Sequence, residues 1–134
     1  MNLLFILILL SSFTLCFGQK KSSKLPYDKG ISKINREDYA GAIKEFSAAI
    51  TLDSTNARAY HKRGYAKALT QNHAGALVDL NQAIELSPGN AQSYSDRGTA
   101  RYNLKDKEGA CMDWEQAIKL GFSEAKEMLH EYCK

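Results

Sequence analysis

Three stretches of this chain repeat one order of apolar and polar residues: GAIKEFSAAITLD at 41–53, GALVDLNQAIELS at 75–87 and GACMDWEQAIKLG at 109–121. They lie 34 residues apart. In that frame Ala42, Ala76 and Ala110 coincide, as do Phe46, Leu80 and Trp114, and then Ala49, Ala83 and Ala117. Ile50, Ile84 and Ile118 follow, and after them Leu52, Leu86 and Leu120. Within the second copy Ala76, Leu80, Ala83 and Ile84 stand at i, i+4, i+7 and i+8, which is one face of an amphipathic helix.

Gly30, Gly64 and Gly98 recur upstream in the same frame. Each copy therefore predicts two helices that approach closely, with a side chain on Gly64 or Ala76 pushing them apart. SPGN at 87–90 closes the second copy, because Pro88 and Gly89 cannot continue a helix. One helix pair cannot bury its apolar face alone, so the three copies predict a stacked, all-α helix-turn-helix solenoid. After Gly121, FSEAKEMLHEYCK predicts a last helix over 123–133. Ser123 is its expected N-cap, and Ala125, Leu129 and Tyr132 share its inward face. Glu124, Lys126, Glu127 and Glu131 cover the rest, as a polar terminal cap requires.

This pattern resembles the tetratricopeptide repeat, whose signature is W-x2-L-G-x2-Y, then a small Ala, an aromatic, another Ala and a Pro. The resemblance covers about residues 23–124, as repeats of about 23–56, 57–90 and 91–124 in a domain spanning 26–134. Pro26, Tyr60 and Tyr94 stand at the Trp position, and Pro is kept only as Pro88. Pro26 falls within the first opening helix, which is expected to begin late.

The resemblance implies a concave groove, lined by the first helix of each repeat, that receives an extended or helical peptide. Its positions here are Tyr27, Ile31, Arg58, Lys62, Tyr65, Gln92, Asp96 and Thr99. One branch of the family clamps the acidic C-terminal tail of heat-shock chaperones through a Lys, Asn, Asn, Lys, Arg set. The matching residues are Tyr27, Ile31, Lys62, Gln92 and Asp96, one basic and one acidic, so that clamp is not expected. What remains is a mixed groove, with Tyr27, Ile31 and Tyr65 as apolar anchors and Arg58 and Lys62 for an acidic group. The alternative is an ordinary solvated face.

The Leu and Tyr positions of the signature carry bases instead: Lys29 and Lys33, Arg63 and Lys67, Arg97 and Arg101. Such a stripe suits phosphates, but each repeat also holds an acid at one fixed place, Glu45, Asp79 or Asp113. The expected arrangement is three helix-to-helix ion pairs, Lys29–Glu45, Arg63–Asp79 and Arg97–Asp113. Bases bound in that way are not free for nucleic acid. The net charge of +3 is too mild to imply a nucleic-acid or membrane partner by itself.

Cys111 stands where the other copies have Ile43 and Leu77. A hairpin near Gly121 brings residue 111 opposite residues about as far beyond the turn, where Cys133 lies. A Cys111–Cys133 disulfide is expected, closing a loop of about 20 residues for roughly 3 kcal/mol in the chain-entropy view. The alternative is that Cys111 is a small apolar residue and Cys133 frays.

Residues 1–18, MNLLFILILLSSFTLCFG, carry no charge and form a short apolar run ending in small residues. They read as an export signal cut after Gly18, with a short basic linker at 19–25. An uncleaved anchor or a lipid on Cys16 is the rival reading. After cleavage the even cysteine pair suits an oxidising compartment.

No nucleotide loop, nucleophile elbow or paired-cysteine metal motif is present. His61, His73 and His130 lie in three different units, and His130 with Cys133 gives half a metal site at most. No catalytic residue, metal or cofactor is expected. The reading is an exported, monomeric module that binds a protein or peptide, without nucleic acid and without membrane contact beyond the export signal. The alternative is a structural subunit of an envelope assembly or a self-associating solenoid.

Overall fold

The computed structural model of the chain describes residues 22–134, so the expected leader lies outside the described residues. Seven helices follow one another: α1 (Lys24–Asn35), α2 (Tyr39–Leu52), α3 (Ala57–Leu69), α4 (His73–Leu86), α5 (Ala91–Asn103), α6 (Lys107–Lys119) and α7 (Ala125–Tyr132). They stack as antiparallel pairs, three tetratricopeptide repeats and a capping helix. No helix among the described residues is long and apolar enough to cross a membrane.

Side-chain caps start the second helix of all three repeats and the first helix of the second and third, while Ser23 before α1 makes no capping bond. Asp38, Asn72 and Asp106 accept from the backbone N–H of Gly41, Gly75 and Gly109, each at 2.9 Å. Asn56 and Asn90 accept likewise from Ala59 and Ser93. Each bond satisfies a first-turn N–H that has no partner inside its helix. The residue before the first kind of cap is left-handed every time, at Glu37, Gln71 and Lys105, with φ of 58°, 65° and 70°.

Helix α1 begins at Lys24 and not late. Pro26 falls in its first turn, where the missing N–H removes no helical bond. Ser123 is not a side-chain cap: α7 starts after Glu124 with no capping bond, and the Ser123 hydroxyl turns to the Glu124 carboxylate instead.

Each second helix delivers small, large, small to the core: Ala42, Phe46 and Ala49; Ala76, Leu80 and Ala83; Ala110, Trp114 and Ala117, all buried. Close helix approach explains the paired glycines. A Cβ on Gly98 would lie 2.7 Å from Trp114 Nε1 and 3.1 Å from the Ala110 carbonyl. On Gly64 it would lie 2.9 Å from Leu80 Cγ and 3.2 Å from the Ala76 carbonyl. Bulk at the first position and none at the second is what lets the two helices of a repeat mesh.

Helix α3 touches both α1 and α5, whereas the second helices keep further from one another. The stack therefore curves with α1, α3 and α5 on its inner side, the geometry of a groove.

Candidate functional site

The groove is carried by a rigid floor of ion pairs. Arg63 Nε and Nη2 donate to the two Asp79 oxygens at 2.8 and 2.7 Å, while Nη1 reaches back to Ser47 Oγ on the preceding repeat. Arg97 repeats the arrangement with Asp113 at 2.9 and 2.6 Å and with Asn81 of the preceding repeat. These are bidentate, charge-assisted forks on nearly buried carboxylates. Helix to helix, the Asp79 carboxylate holds the Arg63 guanidinium above its ordinary range, with burial opposing.

A second base joins each acid: Lys67 lies 2.8 Å from Asp79 and Arg101 lies 2.9 Å from Asp113. The sequence marked these bases as one turn beyond the first but did not assign them to the same carboxylate. The third expected pair is corrected. Among the described residues no ion pair joins Lys29 and Glu45; Lys29 is exposed, and Lys33 binds the cap Asp38 at 2.8 Å. The arginine forks are also braced on Ser47 and Asn81 of the preceding repeat, whereas a lysine presents a single point charge and no fork.

The expected groove residues divide by burial. Tyr27 is 8% exposed and belongs to the core, its ring 5.6 Å from Phe46 and covered by Arg58 at 4.7 Å. Ile31 packs half-buried against the same cluster. Arg58 and Gln92 are exposed. Lys62 lies over the Tyr65 ring at 6.0 Å, and no ion pair among the described residues uses either Arg58 or Lys62.

Tyr65, Asp96 and Thr99 come together with α3 on one side and α5 on the other, around one hollow. Burial, aided by the Asp96 carboxylate and Tyr39, raises the Tyr65 phenol above its ordinary range. Beneath them His61, 4% exposed, places Nε2 2.7 Å from Asp96 Oδ2 and so ties α3 to α5. Sequence reasoning missed this contact. Its partners lie 35 residues apart, and position 61 is Tyr27 and Ser95 in the other repeats, so no periodicity announces it.

At the far end the Sγ atoms of Cys111 and Cys133 stand 2.02 Å apart, disulfide distance, with 5.9 Å between Cα atoms. Cys133 and the α7 residues Leu129 and Tyr132 pack on a cluster built from Ala110, Trp114, Ala117 and Ala125. Tyr102, Trp114 and Tyr132 add mutually tilted rings, Tyr102 and Tyr132 at 4.6 Å. Among the described residues no three His, Cys, Asp or Glu side chains converge as metal ligands.

Comparison with known proteins agrees with this architecture. Family descriptions match residues 34–71 (TPR repeat) and 57–90 (tetratricopeptide repeat). The described residues have the fold of three tetratricopeptide repeats and a capping helix. No curated protein matches it by sequence.

Among solved structures it is similar to the first TPR of Spaghetti (RPAP3) bound to the HSP90 peptide SRMEEVD, at 26% identity and TM-score 0.82, covering 86% of this chain and 93% of that one. It is also similar to the second TPR domain of human RPAP3 in complex with the HSP70 peptide SGPTIEEVD, at 27% identity and TM-score 0.78, covering 84% and 99%. The Sgt2 TPR domain from Aspergillus fumigatus resembles it at 25% identity and TM-score 0.78, covering 83% and 76%.

Proposed function

We propose that this chain is an exported, non-catalytic interaction module whose groove, lined by α1, α3 and α5, receives a peptide segment of a partner protein. The observation that carries the reading is the inner face of α3. There Arg58 and Lys62, without ion-pair partners among the described residues, flank the half-buried Tyr65 on a floor fixed by the Asp79 and Asp113 clamps. Two similar structures hold chaperone peptides, which supports peptide binding as the mode. The residues at the clamp positions here, Tyr27, Ile31, Lys62, Gln92 and Asp96, argue for a different peptide.

In this reading Tyr65 is the apolar anchor, Ile31 adds apolar wall, Arg58 and Lys62 face an acidic group, and Gln92, Asp96 and Thr99 line the opposite side. Tyr27 supports Arg58 from below and is not itself an anchor. The test is a peptide selected from a displayed random library against the chain, then titrated calorimetrically. Tyr65→Ala with Lys62→Glu is expected to weaken that peptide roughly tenfold or more while the helical signal is retained. Unchanged affinity in a folded double variant would sink the groove.

Self-association is the second reading, favoured by Leu25, 63% exposed on α1. Light scattering across a concentration series separates the two: a constant monomer mass supports the module, and a rising mass supports assembly.

A further inference from the structure

One part of the groove has a chemistry of its own. A hollow of about 250 Å³ lies where α3 ends at Leu69 and α5 ends at Asn103. Tyr65, Ala68 and Leu69 form its apolar wall. Around the rest the one full charge of fixed sign is the Asp96 carboxylate, and several neighbours offer acceptor atoms beside it. Asp96 takes His61 on Oδ2 and, among the described residues, pairs with no Lys or Arg. Thr99 Oγ1 donates its proton to the Ser95 carbonyl, which leaves its lone pairs. Asn103 Nδ2 donates to the Thr99 carbonyl, which leaves Oδ1.

His73 places Nε2 3.2 Å from Gln71 Oε1, and in the tautomer that carries its proton on Nε2 the ring donates there. Its Nδ1 is then an acceptor, and that atom is buried without a partner. No Lys or Arg lines the hollow. Two helices end there, and the C-terminal end of a helix is the negative one.

We infer that this hollow is a subsite for an arginine side chain of the bound partner. A guanidinium carries five donors and no acceptor, the complement of a carboxylate that no Lys or Arg neutralises and of the acceptor atoms beside it. Its apolar stem lies along Leu69 and Ala68, and its planar face stacks on the Tyr65 ring. The inference rests on the groove reading and names one element of the partner. It also inverts the charge of the chaperone-tail clamp, because Asp96 stands where that clamp carries arginine.

The probe is Nα-acetyl-arginine amide, titrated into the 15N-labelled chain, with the citrulline analogue as a neutral control of the same shape. Saturable shifts are expected at amides of residues 69–73 and 96–103 with arginine and not with citrulline. Asp96→Asn, which still accepts from His61, is expected to weaken the arginine probe roughly tenfold. Thr99→Lys, which puts an ammonium in the hollow without touching the His61 contact, is expected to abolish it. Equal shifts with citrulline, or no change in both variants, overturn the subsite. If the arginine probe fails while Tyr65→Ala with Lys62→Glu loses the selected peptide, the subsite falls and the groove stands. If the probe binds as expected but the selected peptide ignores that double variant, the hollow stands and the groove reading falls.

Discussion

At the scale of single residues, Asp113 gathers two arginines on a carboxylate that is nearly out of solvent. It is 3% exposed and receives three donors, two from Arg97 and one from Arg101. Removing the acid strands two guanidinium groups, whereas removing one base leaves the other in place. Asp113→Ala is expected to cost roughly 3 kcal/mol, and Arg97→Met distinctly less, by chemical denaturation.

A second residue-scale effect is acid-dependent. Lys33 first, then the Gly41 N–H, holds the Asp38 carboxyl below its ordinary 3.8. The unfolded chain therefore binds the proton more readily, so the contribution of Asp38 is present at neutral pH and is lost as pH falls through the carboxylate range. Thermal melting of the wild type is expected to drop more steeply than that of Asp38→Asn below about pH 4. Equal slopes would show that Asp38 makes no charge-dependent contribution.

Among helices and turns, the repeat reuses a cap and a left-handed residue as one device. Lys105 adopts φ of 70° in an exposed turn, a conformation glycine enters without the Cβ penalty. Lys105→Gly is expected to raise stability by about 0.5–1 kcal/mol, seen as a higher melting temperature. A lower one would mean that the side chain has a role outside the turn.

The last element is anchored where Cys111 and Cys133 stand at disulfide distance. Helix α7 has eight residues, too few to persist alone, and is held by Ala125, Leu129, Tyr132 and the Cys111–Cys133 contact. Reduction, or Cys133→Ser, is expected to release it at a cost of roughly 3 kcal/mol. Trp114, the chain's one tryptophan and a neighbour of Tyr132, reports the release by fluorescence.

The sequence displayed the helices, their pairing and the approach of Cys111 to Cys133 because all three follow the 34-residue frame or its hairpin. The caps Asp38, Asn72 and Asp106 keep the frame too, each three residues before a glycine, but the sequence reading named only Ser123, which does not cap. Lys29–Glu45 misled for the opposite reason: the frame carries residue types forward but not the arginine fork. His61–Asp96 and the His73 ring nitrogen obey no period and become visible only once the helices are packed.

For the whole molecule, the compartment is a proposal that one preparation addresses. If the protein is exported and cut after Gly18, intact mass of natively produced chain, alkylated before any reduction, is expected to begin at Gln19 and to carry no alkyl group. A longer chain with reactive thiols would remove both the export reading and its oxidising setting.

The backward reach of Arg63 to Ser47 and of Arg97 to Asn81 gives the stack a grammar. The second and third repeats each offer an arginine toward the predecessor, and the first and second each offer a polar acceptor toward the successor. A duplicate of residues 57–90 spliced after Asn90 would meet Asn81 with its own Arg63 and present its own Asn81 to Arg97. The gene can therefore lengthen by whole copies without rewriting either neighbour, so recombination alone can extend the array.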